Sequence, residues 1–495
     1  MACGYGSAVR IAVAALAALV LAGTAAAGTI RGSARAELLV GTARADIVRA
    51  GGGDDRISVE ADARRDRVEC GPGRDLVALD RLDVAAADCE TITRQISRDR
   101  TTDPEAQHRT QVEPDSFAAG RTIVTTFQVG RFFDGGAEAI GFSTSIDAGV
   151  TWRDGLLPSL TIAGSPGGPS ARASDPVVAR DEAHAIWLVA SLALGPGGTS
   201  RLAISRSGDG IAWTAPVDAA SSTTGSLGYD KEWLVCDNGT VSPFRGRCYL
   251  AYTDLIRSAL SIQSSSDGGV TWSPAVSLPF FPLVGAYPAT LPDGTLVVLY
   301  NREQGGIEAV RSLDGGATFA GPVTVGSTLG ARPRGLRMVP IPTVDVDDSG
   351  RLLTVWPACV TRQICNGNDI VLSTSQDGAT WSAPRRVSRG ADAFIPAIAA
   401  APGGSLAVAY YARRTEGVDA WLIRSADGGV TWGRAQRLSP QTMALRTIAD
   451  TNQGRMLADY VSISWADGRP VTVLSLASPP SNGAFEQSIV AATAR

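Results

Sequence analysis

The stretch Ser265-Ser-Asp267-Gly-Gly269-Val-Thr271-Trp272 occurs, with small variations, six times in this chain of 495 residues. The other copies lie at residues 145–152, 207–213, 312–319, 375–381 and 425–432. The copies at 207–213 and 375–381 are one residue shorter than the rest. A short motif that recurs over most of a chain indicates a fold built from repeated units.

Each position of this motif suits a tight turn between two strands. A short Asp side chain accepts hydrogen bonds from nearby backbone N–H groups. Glycine supplies the backbone conformations with positive φ, and the Thr and Trp that follow favour a β-strand. Apolar runs such as 139–142, 202–204 and 370–372 precede the copies. We therefore expect each copy to mark a hairpin within a repeating β unit.

The motif resembles the Asp-box, or bacterial neuraminidase repeat (BNR), of the sialidase superfamily. The resemblance implies an all-β fold in which residues 114–495 form a six-bladed β-propeller of four-stranded blades. Strands predicted at 460–465, 471–476 and 488–492 would complete the final blade and pair with a strand near 122–127, which removes exposed sheet edges. Asp-boxes of this superfamily are structural turns at the rim, so their Asp residues are not site candidates.

A different repeat, with a nine-residue period, occupies residues 32–77 within a predicted N-terminal region, 28–91. It resembles the calcium-binding nonapeptide of repeats-in-toxin proteins, in which Asp oxygens of neighbouring β-roll turns share a Ca²⁺ ion. The resemblance implies Ca²⁺ as a cofactor. Its candidate ligands are Asp46, Asp55, Asp66 and Asp75. The alternative is a metal-free solenoid, because Arg35 and Arg44 stand where glycine is expected and would oppose a bound cation.

The chain begins with features of an exported protein. Residues 1–27 contain one arginine, a short apolar run and an Ala-x-Ala site, which predicts a signal peptide and a secreted protein without a transmembrane segment after cleavage. Six cysteines follow, and their proximity suggests the disulfides Cys70–Cys89, Cys236–Cys248 and Cys359–Cys365. The polar residues 92–113 are predicted to be a linker.

Resemblance to sialidases also implies a site at the propeller axis. Family members clamp a sugar carboxylate with three arginines and use a Tyr nucleophile and an Asp acid. Arg302 is the best match for a clamp arginine, and Arg131 and either Arg413 or Arg414 are the other candidates. Asp134 could serve as the acid. Tyr460 is a candidate nucleophile or, alternatively, a packed strand residue.

A second group of candidates is Asp230-Lys231-Glu232, close to the Cys236–Cys248 pair. It resembles a segment found in many exported Asp-box propellers. Lys231 is the only lysine beside 44 arginines. This indicates a position that needs a compact ammonium, either in a ligand contact or in an ordinary structural salt bridge.

The net charge and the sequence motifs together restrict the classes of function that we expect for this chain. A formal net charge of −4 argues against nucleic-acid binding. We expect a monomeric, carbohydrate-active protein that acts on a glycan or glycoconjugate, as an exo-α-sialidase-like glycoside hydrolase without a catalytic cofactor. The alternatives are a non-catalytic propeller that binds glycan or protein on a calcium-stiffened stalk, and a structural cell-surface module.

Overall fold

The computed structural model describes residues 28–59, 64–223, 227–280, 282–302, 305–359, 362–388, 392–481 and 483–494. The predicted signal peptide, 1–27, lies outside them. The described residues form β-strands, with two short 3₁₀ turns at Pro196–Gly198 and Leu445–Thr447. Within these ranges, no helix has the length and apolar character needed to cross a membrane. The fold is therefore all-β, as predicted.

The first eight strands form a β-solenoid, in which successive strands alternate between two parallel sheets. One sheet contains β1 (Thr29–Arg31), β3 (Ile47–Arg49), β5 (Arg67–Glu69) and β7 (Val84–Ala85). The other contains β2 (Leu38–Val40), β4 (Arg56–Ser58), β6 (Leu76–Leu79) and β8 (Thr91–Gln95). Each strand from β3 to β6 has a fully buried side chain between the two sheets: Val48, Ile57, Val68 and Val77. The Cys70–Cys89 disulfide fixes the last turn.

The remaining strands form seven four-stranded antiparallel sheets, numbered from first to seventh in chain order. The first sheet contains β9 (Gln107–Ala119), β10 (Thr122–Arg131), β11 (Ala137–Ser145) and β12 (Arg153–Leu156), and the second contains β13 (Arg172–Asp181), β14 (Ile186–Leu194), β15 (Ser200–Ser207) and β16 (Val217–Ser222). The third contains β17 (Tyr229–Cys236), β18 (Cys248–Asp254), β19 (Ala259–Ser265) and β20 (Val276–Leu278), and the fourth contains β21 (Pro282–Thr290), β22 (Leu296–Arg302), β23 (Gly306–Ser312) and β24 (Ala320–Ser327). The fifth contains β25 (Thr343–Val346), β26 (Leu352–Ala358), β27 (Asp369–Ser375) and β28 (Arg385–Arg386), and the sixth contains β29 (Asp392–Ala400), β30 (Leu406–Arg413), β31 (Val418–Ser425) and β32 (Gln436–Arg437). The seventh contains β33 (Ser462–Ala466), β34 (Arg469–Ser481), β35 (Ala484–Ala494) and, as its fourth strand, β8.

These seven sheets are arranged in a closed ring. The first strand of each sheet contacts the first strand of the next, and β33 returns to contact β9. All seven first strands line one central channel, whose cavity has a volume of about 660 Å³. Apolar clusters fill the spaces between neighbouring sheets, as between the third-sheet Leu250 and the second-sheet Leu188.

Every Asp-box forms the predicted turn, between the third and fourth strands of its sheet. In the third sheet the Ser265 hydroxyl donates to Asp267 Oδ1 at 2.8 Å and accepts the Gly269 amide at 3.0 Å. The amide and hydroxyl of Thr271 both donate to the Asp267 carboxylate. Burial opposes the charge of Asp267, but these bonds outweigh it and lower its pKa to about 2. The side chains of this Asp-box therefore hold its turn in place.

The ring has one sheet more than the six that the sequence predicts. The last three strands do not complete the sixth sheet or pair with β10; they form a seventh sheet with β8. Because β8 comes from the solenoid, no turn joins the third and fourth strands of this sheet, so no Asp-box marks it. The predicted linker, 92–113, also differs from the structure, since it contains most of β8 and the start of β9.

Candidate functional site

A second cavity, of about 530 Å³, opens at the end of the channel where the first strands begin. We call it the axial cavity. Glu113, Asp175 and Lys231 line it, and each precedes the channel-lining residues of its own strand. Its other charged residues are Arg131, Asp134, Arg172, Asp230, Arg337 and Asp459.

β-bulges place the three strand residues at this cavity. Glu113, Asp175 and Lys231 have φ values of 53°, 50° and 48°, and each lies where the register of its strand shifts. The same bulge carries Gly285 in the fourth sheet and Ile395 in the sixth. A bulge changes the direction of a side chain, and strained backbone of this kind is common at functional sites.

Three ion pairs form much of the wall of the axial cavity. Lys231 Nζ lies 3.1 Å from Asp175 Oδ1, and Arg172 donates to Asp134 at 2.7 Å. Arg337 forms a two-point pair with Asp459, in which Nε donates to Oδ1 at 2.9 Å. The last pair joins two loops that are distant in sequence, and a backbone bond between Arg337 and Arg455 reinforces it.

Lys231 is almost fully buried. Its ammonium lies 3.5 Å from the centre of the Tyr460 ring and 5.6 Å from that of Trp233. Burial opposes its charge, but the carboxylates of Asp175, Glu113 and Asp459 outweigh this effect and raise its pKa. Lys231 is therefore a stable cation and not a nucleophilic amine.

Arg131 differs from the other cations of the cavity. Its side chain is only 2% exposed, and one terminal nitrogen donates to the carbonyl of Phe132 at 2.6 Å. Nε has no hydrogen-bond partner, and no ion pair to Arg131 occurs among the described residues. An arginine remains charged even when buried. As far as the described residues go, the cavity therefore contains one buried guanidinium without an ion-paired carboxylate.

Two carboxyl groups of the axial cavity, Glu113 and Asp230, have a raised pKa. Burial, assisted by the negative charge of Asp175, raises the pKa of Glu113 to about 8 and that of Asp230 to about 7. Gln128 donates to Glu113 through its side-chain amide. Asp230 is half-buried and forms no ion pair among the described residues. It can therefore both hold and release a proton at neutral pH.

The structure brings four of the candidates from the sequence into this cavity and places the others elsewhere. Arg131, Asp134, Asp230 and Lys231 line the cavity. The Arg302 side chain is 60% exposed and pairs with Glu308 at 3.0 Å in the fourth sheet. Arg413 donates to the carbonyl of Gly417 at 3.2 Å. Neither Arg302 nor Arg413 lines the cavity.

Tyr460 and Glu232 are buried beside the cavity and do not line it. The Tyr460 hydroxyl donates to the carbonyl of Pro176 at 3.0 Å, and burial raises its pKa well above the ordinary value. Glu232 is fully buried, neither of its carboxyl oxygens has a hydrogen-bond partner, and burial raises its pKa well above the ordinary value. The Tyr460 ring supports Lys231, while its hydroxyl is engaged with the backbone.

Sequence reasoning missed Glu113, Asp175, Arg172, Arg337 and Asp459. A signal for the first two exists, because Glu113-Pro114 and Asp175-Pro176 both place an acid before a proline early in a first strand. The fold brings Arg337 and Asp459 together over 122 positions of sequence, and no local pattern marks them.

The predicted calcium ligands form a ladder of hydrogen bonds along the solenoid. Asp66 accepts the backbone amide of Asp46 at 2.6 Å, and Asp75 accepts that of Asp55 at 2.8 Å. One buried oxygen of Asp55 and one of Asp75 have no donor. In the described part of the chain, the only close set of three ligand residues is Cys70, Asp88 and Cys89, in which the cysteines are already bonded. Calcium binding stays a prediction.

Comparison with known proteins identifies one domain. Residues 327–458, about a quarter of the chain, match the BNR repeat-like domain. No curated protein matches. Similar solved structures include a Hadza microbial sialidase, at 19% identity, a TM-score of 0.43, and coverage of 61% of this chain and 64% of that one. A leech intramolecular trans-sialidase has 14% identity, a TM-score of 0.44, and coverage of 62% and 65%.

A polysaccharide lyase described as an ulvan lyase is also similar, at 10% identity, a TM-score of 0.47, and coverage of 78% of this chain and 94% of that one. The chain thus spans less than two thirds of the length of the two sialidases.

Proposed function

We propose that this chain is a carbohydrate-active protein that binds an acidic sugar in the axial cavity and hydrolyses its glycosidic bond, as an exo-α-sialidase does. In this proposal the ring of seven sheets is a seven-bladed propeller. The observation that carries the proposal is Arg131, a buried guanidinium at the cavity wall without a carboxylate partner among the described residues. A guanidinium pairs with a carboxylate through two parallel hydrogen bonds.

The charge balance of the cavity supports this role for Arg131. Lys231, Arg337 and Arg172 each have an acidic partner, at Asp175, Asp459 and Asp134. A ligand carboxylate would have to compete with those acids for the paired cations. Glu113, Asp459 and Asp134 act on the charge of Arg131 from a distance. None of the described residues forms an ion pair with Arg131, so a ligand carboxylate would not have to displace a bound acid, in a site where burial strengthens electrostatic attraction.

Asp230 supplies the acid that hydrolysis requires. With a pKa of about 7, its carboxyl group is protonated in a substantial fraction of molecules at neutral pH. It would donate this proton to the glycosidic oxygen as the bond from that oxygen to the anomeric carbon breaks. Water then adds to the anomeric carbon, and the proton that water releases restores Asp230. The match to the BNR repeat-like domain fits this carbohydrate-active function.

One observation favours a second function, the binding of acidic glycans without catalysis. The nucleophile that the resemblance implies, Tyr460, has its hydroxyl engaged with the carbonyl of Pro176. Either function belongs outside the cytoplasm in this proposal, since the three disulfides suit an oxidising compartment.

The test compares three arginine variants for binding of N-acetylneuraminic acid, by calorimetry, and for release of fluorophore from a sialoside. We expect Arg131→Gln to weaken binding by about 10- to 100-fold, the effect of a lost charge-assisted hydrogen bond. Arg302→Gln, at the position favoured by the resemblance, should behave like the surface control Arg121→Gln, which breaks an exposed pair with Asp467.

The outcomes separate the two functions. Binding without turnover in the parent protein would leave the binding function and remove the hydrolase. Equal binding by the parent and Arg131→Gln, or no binding by the parent, would remove the proposed site.

A further inference from the structure

We infer that Lys231 and Asp175 form a second recognition element, which selects sugar acids with hydroxyl groups over other carboxylates. The inference rests on the proposed function, because it assumes that Arg131 holds the ligand carboxylate in the same cavity. It adds the class of ligand: a sugar acid in which ring hydroxyls lie near the carboxylate.

The Lys231 ammonium has N–H donors that no described residue accepts. An ammonium carries three N–H donors. One is used by Asp175 Oδ1 at 3.1 Å, and the ammonium also rests on the Tyr460 ring. Lys231 donates no other hydrogen bond within the described part of the chain, and it lines the axial cavity. A donor therefore remains for a ligand.

Asp175 supplies an acceptor next to that donor. Its Oδ1 receives the Lys231 bond, and both carboxylate oxygens of an Asp can accept. Oδ2 accepts no hydrogen bond from the described residues, and Asp175 also lines the cavity. A sugar hydroxyl both donates and accepts, so an adjacent donor and acceptor suit one hydroxyl or a neighbouring pair.

The bulges do not themselves require these charges. The equivalent positions in the fourth and sixth sheets carry Gly285 and Ile395, which form the same bulge without a charge. Gly285 also leaves room for Lys231, since a Cβ at this position would lie 3.3 Å from Lys231 Cγ. The backbone can therefore form this bulge with uncharged residues as well as with Lys231 and Asp175.

The identity of Lys231 adds to this argument. A chain that uses arginine at 44 positions has its single lysine at the cavity wall. A guanidinium is planar and broad, whereas an ammonium is compact and can bond in three directions. An ammonium can therefore contact Asp175, the face of the Tyr460 ring and a ligand at the same time.

The experiment measures selectivity by calorimetry with three probes: N-acetylneuraminic acid, glucuronic acid and cyclohexanecarboxylic acid, which has no hydroxyl. We expect the parent to bind at least one sugar acid about tenfold or more tightly than cyclohexanecarboxylic acid. Asp175→Asn, which keeps the size of the side chain, should reduce that preference by about tenfold. The affinity for cyclohexanecarboxylic acid should hardly change. Arg131→Gln should weaken every probe.

Two measurements on the parent protein cover the case in which a buried variant fails to fold. Because Lys231 is the only lysine, ¹⁵N-lysine labelling gives one side-chain ammonium signal, and the sugar acid should shift it more than cyclohexanecarboxylic acid does. Methyl glycosides of the sugar acid that lack one hydroxyl should bind about tenfold more weakly at one ring position or more.

Failure of this inference differs from failure of the proposed function. Equal affinity for all three probes, with no loss in the deoxy series and equal ammonium shifts, would overturn the role of Lys231 and Asp175 and leave Arg131 in place. A parent protein that binds none of the carboxylates would overturn the proposed function itself.

Discussion

Gln95 lies directly opposite Val490 in the antiparallel pair of β8 and β35. On its other edge, β8 pairs in parallel with β6 of the solenoid. The strand therefore ends the solenoid and also completes the seventh sheet. The solenoid is thus joined to the seventh sheet through β8.

Removal of residues 28–97 should destabilise the whole ring. The deletion takes β8 from the seventh sheet and exposes the edge of β35, and an exposed edge strand promotes aggregation. We expect a fall of about 10 °C or more in the thermal midpoint, or insoluble protein. A control deletion of residues 28–41, which removes only β1 and β2, should change the midpoint by a few degrees at most. A soluble long deletion with an unchanged midpoint would contradict this account.

The pH dependence of activity tests the role of Asp230. An acid must be protonated to act, so kcat/KM should fall about tenfold per pH unit above about pH 7. Asp230→Asn should reduce the rate by about 10²- to 10⁴-fold at pH 6. Asp218→Asn, at an exposed pair with Arg201, is the control. An unchanged profile in Asp230→Asn would assign the proton to another group.

The stability of the protein should fall as the pH rises from 5 to 8. Glu113 has an ordinary pKa of 4.5 and a folded pKa of about 8, so the folded state keeps a proton that the unfolded chain releases. Its contribution is complete below pH 4.5 and disappears as the pH rises through 8. In Glu113→Gln, the loss in the free energy of unfolding between pH 5 and 8 should be smaller by roughly 1–3 kcal/mol, measured by urea denaturation. A slope as steep as that of the parent would show that Glu113 is not the source.

The Asp-box turn can be tested at Asp267. Asp267→Ala removes the acceptor of the Thr271 and Ser265 bonds and should cost about 1 kcal/mol, because the turn is exposed to solvent. The rate of sialoside hydrolysis should not change, since Asp267 does not line the axial cavity. Asp467→Asn, in an exposed pair with Arg121, should cost less. A larger loss of rate than of stability in Asp267→Ala would argue against a purely structural turn.

The last prediction concerns calcium binding by the solenoid. The Asp ladder already pairs one oxygen of Asp66 and one of Asp75 with backbone amides, so the solenoid has a means of ordering without metal. In a solenoid ordered without metal, millimolar Ca²⁺ or a chelator should shift the thermal midpoint by less than about 2 °C. A rise of several degrees that Asp75→Asn abolishes would instead establish the calcium site that the repeat predicts.

Local patterns predicted the parts of this fold that depend on local contacts. The turn around Asp267, the disulfide Cys70–Cys89 and the stacked turns around Asp55 follow from short stretches of sequence, and the structure has all three. The seventh sheet was missed because its fourth strand comes from the other end of the chain, where no turn motif is needed.

The site was harder to predict because distant segments build it. Arg131 and Asp230 are sequence candidates that line the axial cavity, whereas Arg302, which the similarity of its strand to a family segment favours, does not line it. Whether a side chain reaches the axis depends on a bulge, as at Lys231, or on a contact between loops, as between Arg337 and Asp459. The loop contact has no signature in the residues next to it, and the only local signal for a bulge is the proline that follows Glu113 and Asp175.

The shared strand also sets the order in which the molecule can be completed. The amide of Ile489, in β35, donates to the hydroxyl of Ser97, which follows shortly after β8 and lies 392 positions earlier in the chain. β8 is therefore synthesised long before β35, its second neighbour in the sheet. During that interval β6 can pair with one edge of β8, and the other edge stays unpaired. Closure of the ring must follow synthesis of β35, and a product ended before β35 would expose two unpaired strand edges to the proteases that remove incomplete chains.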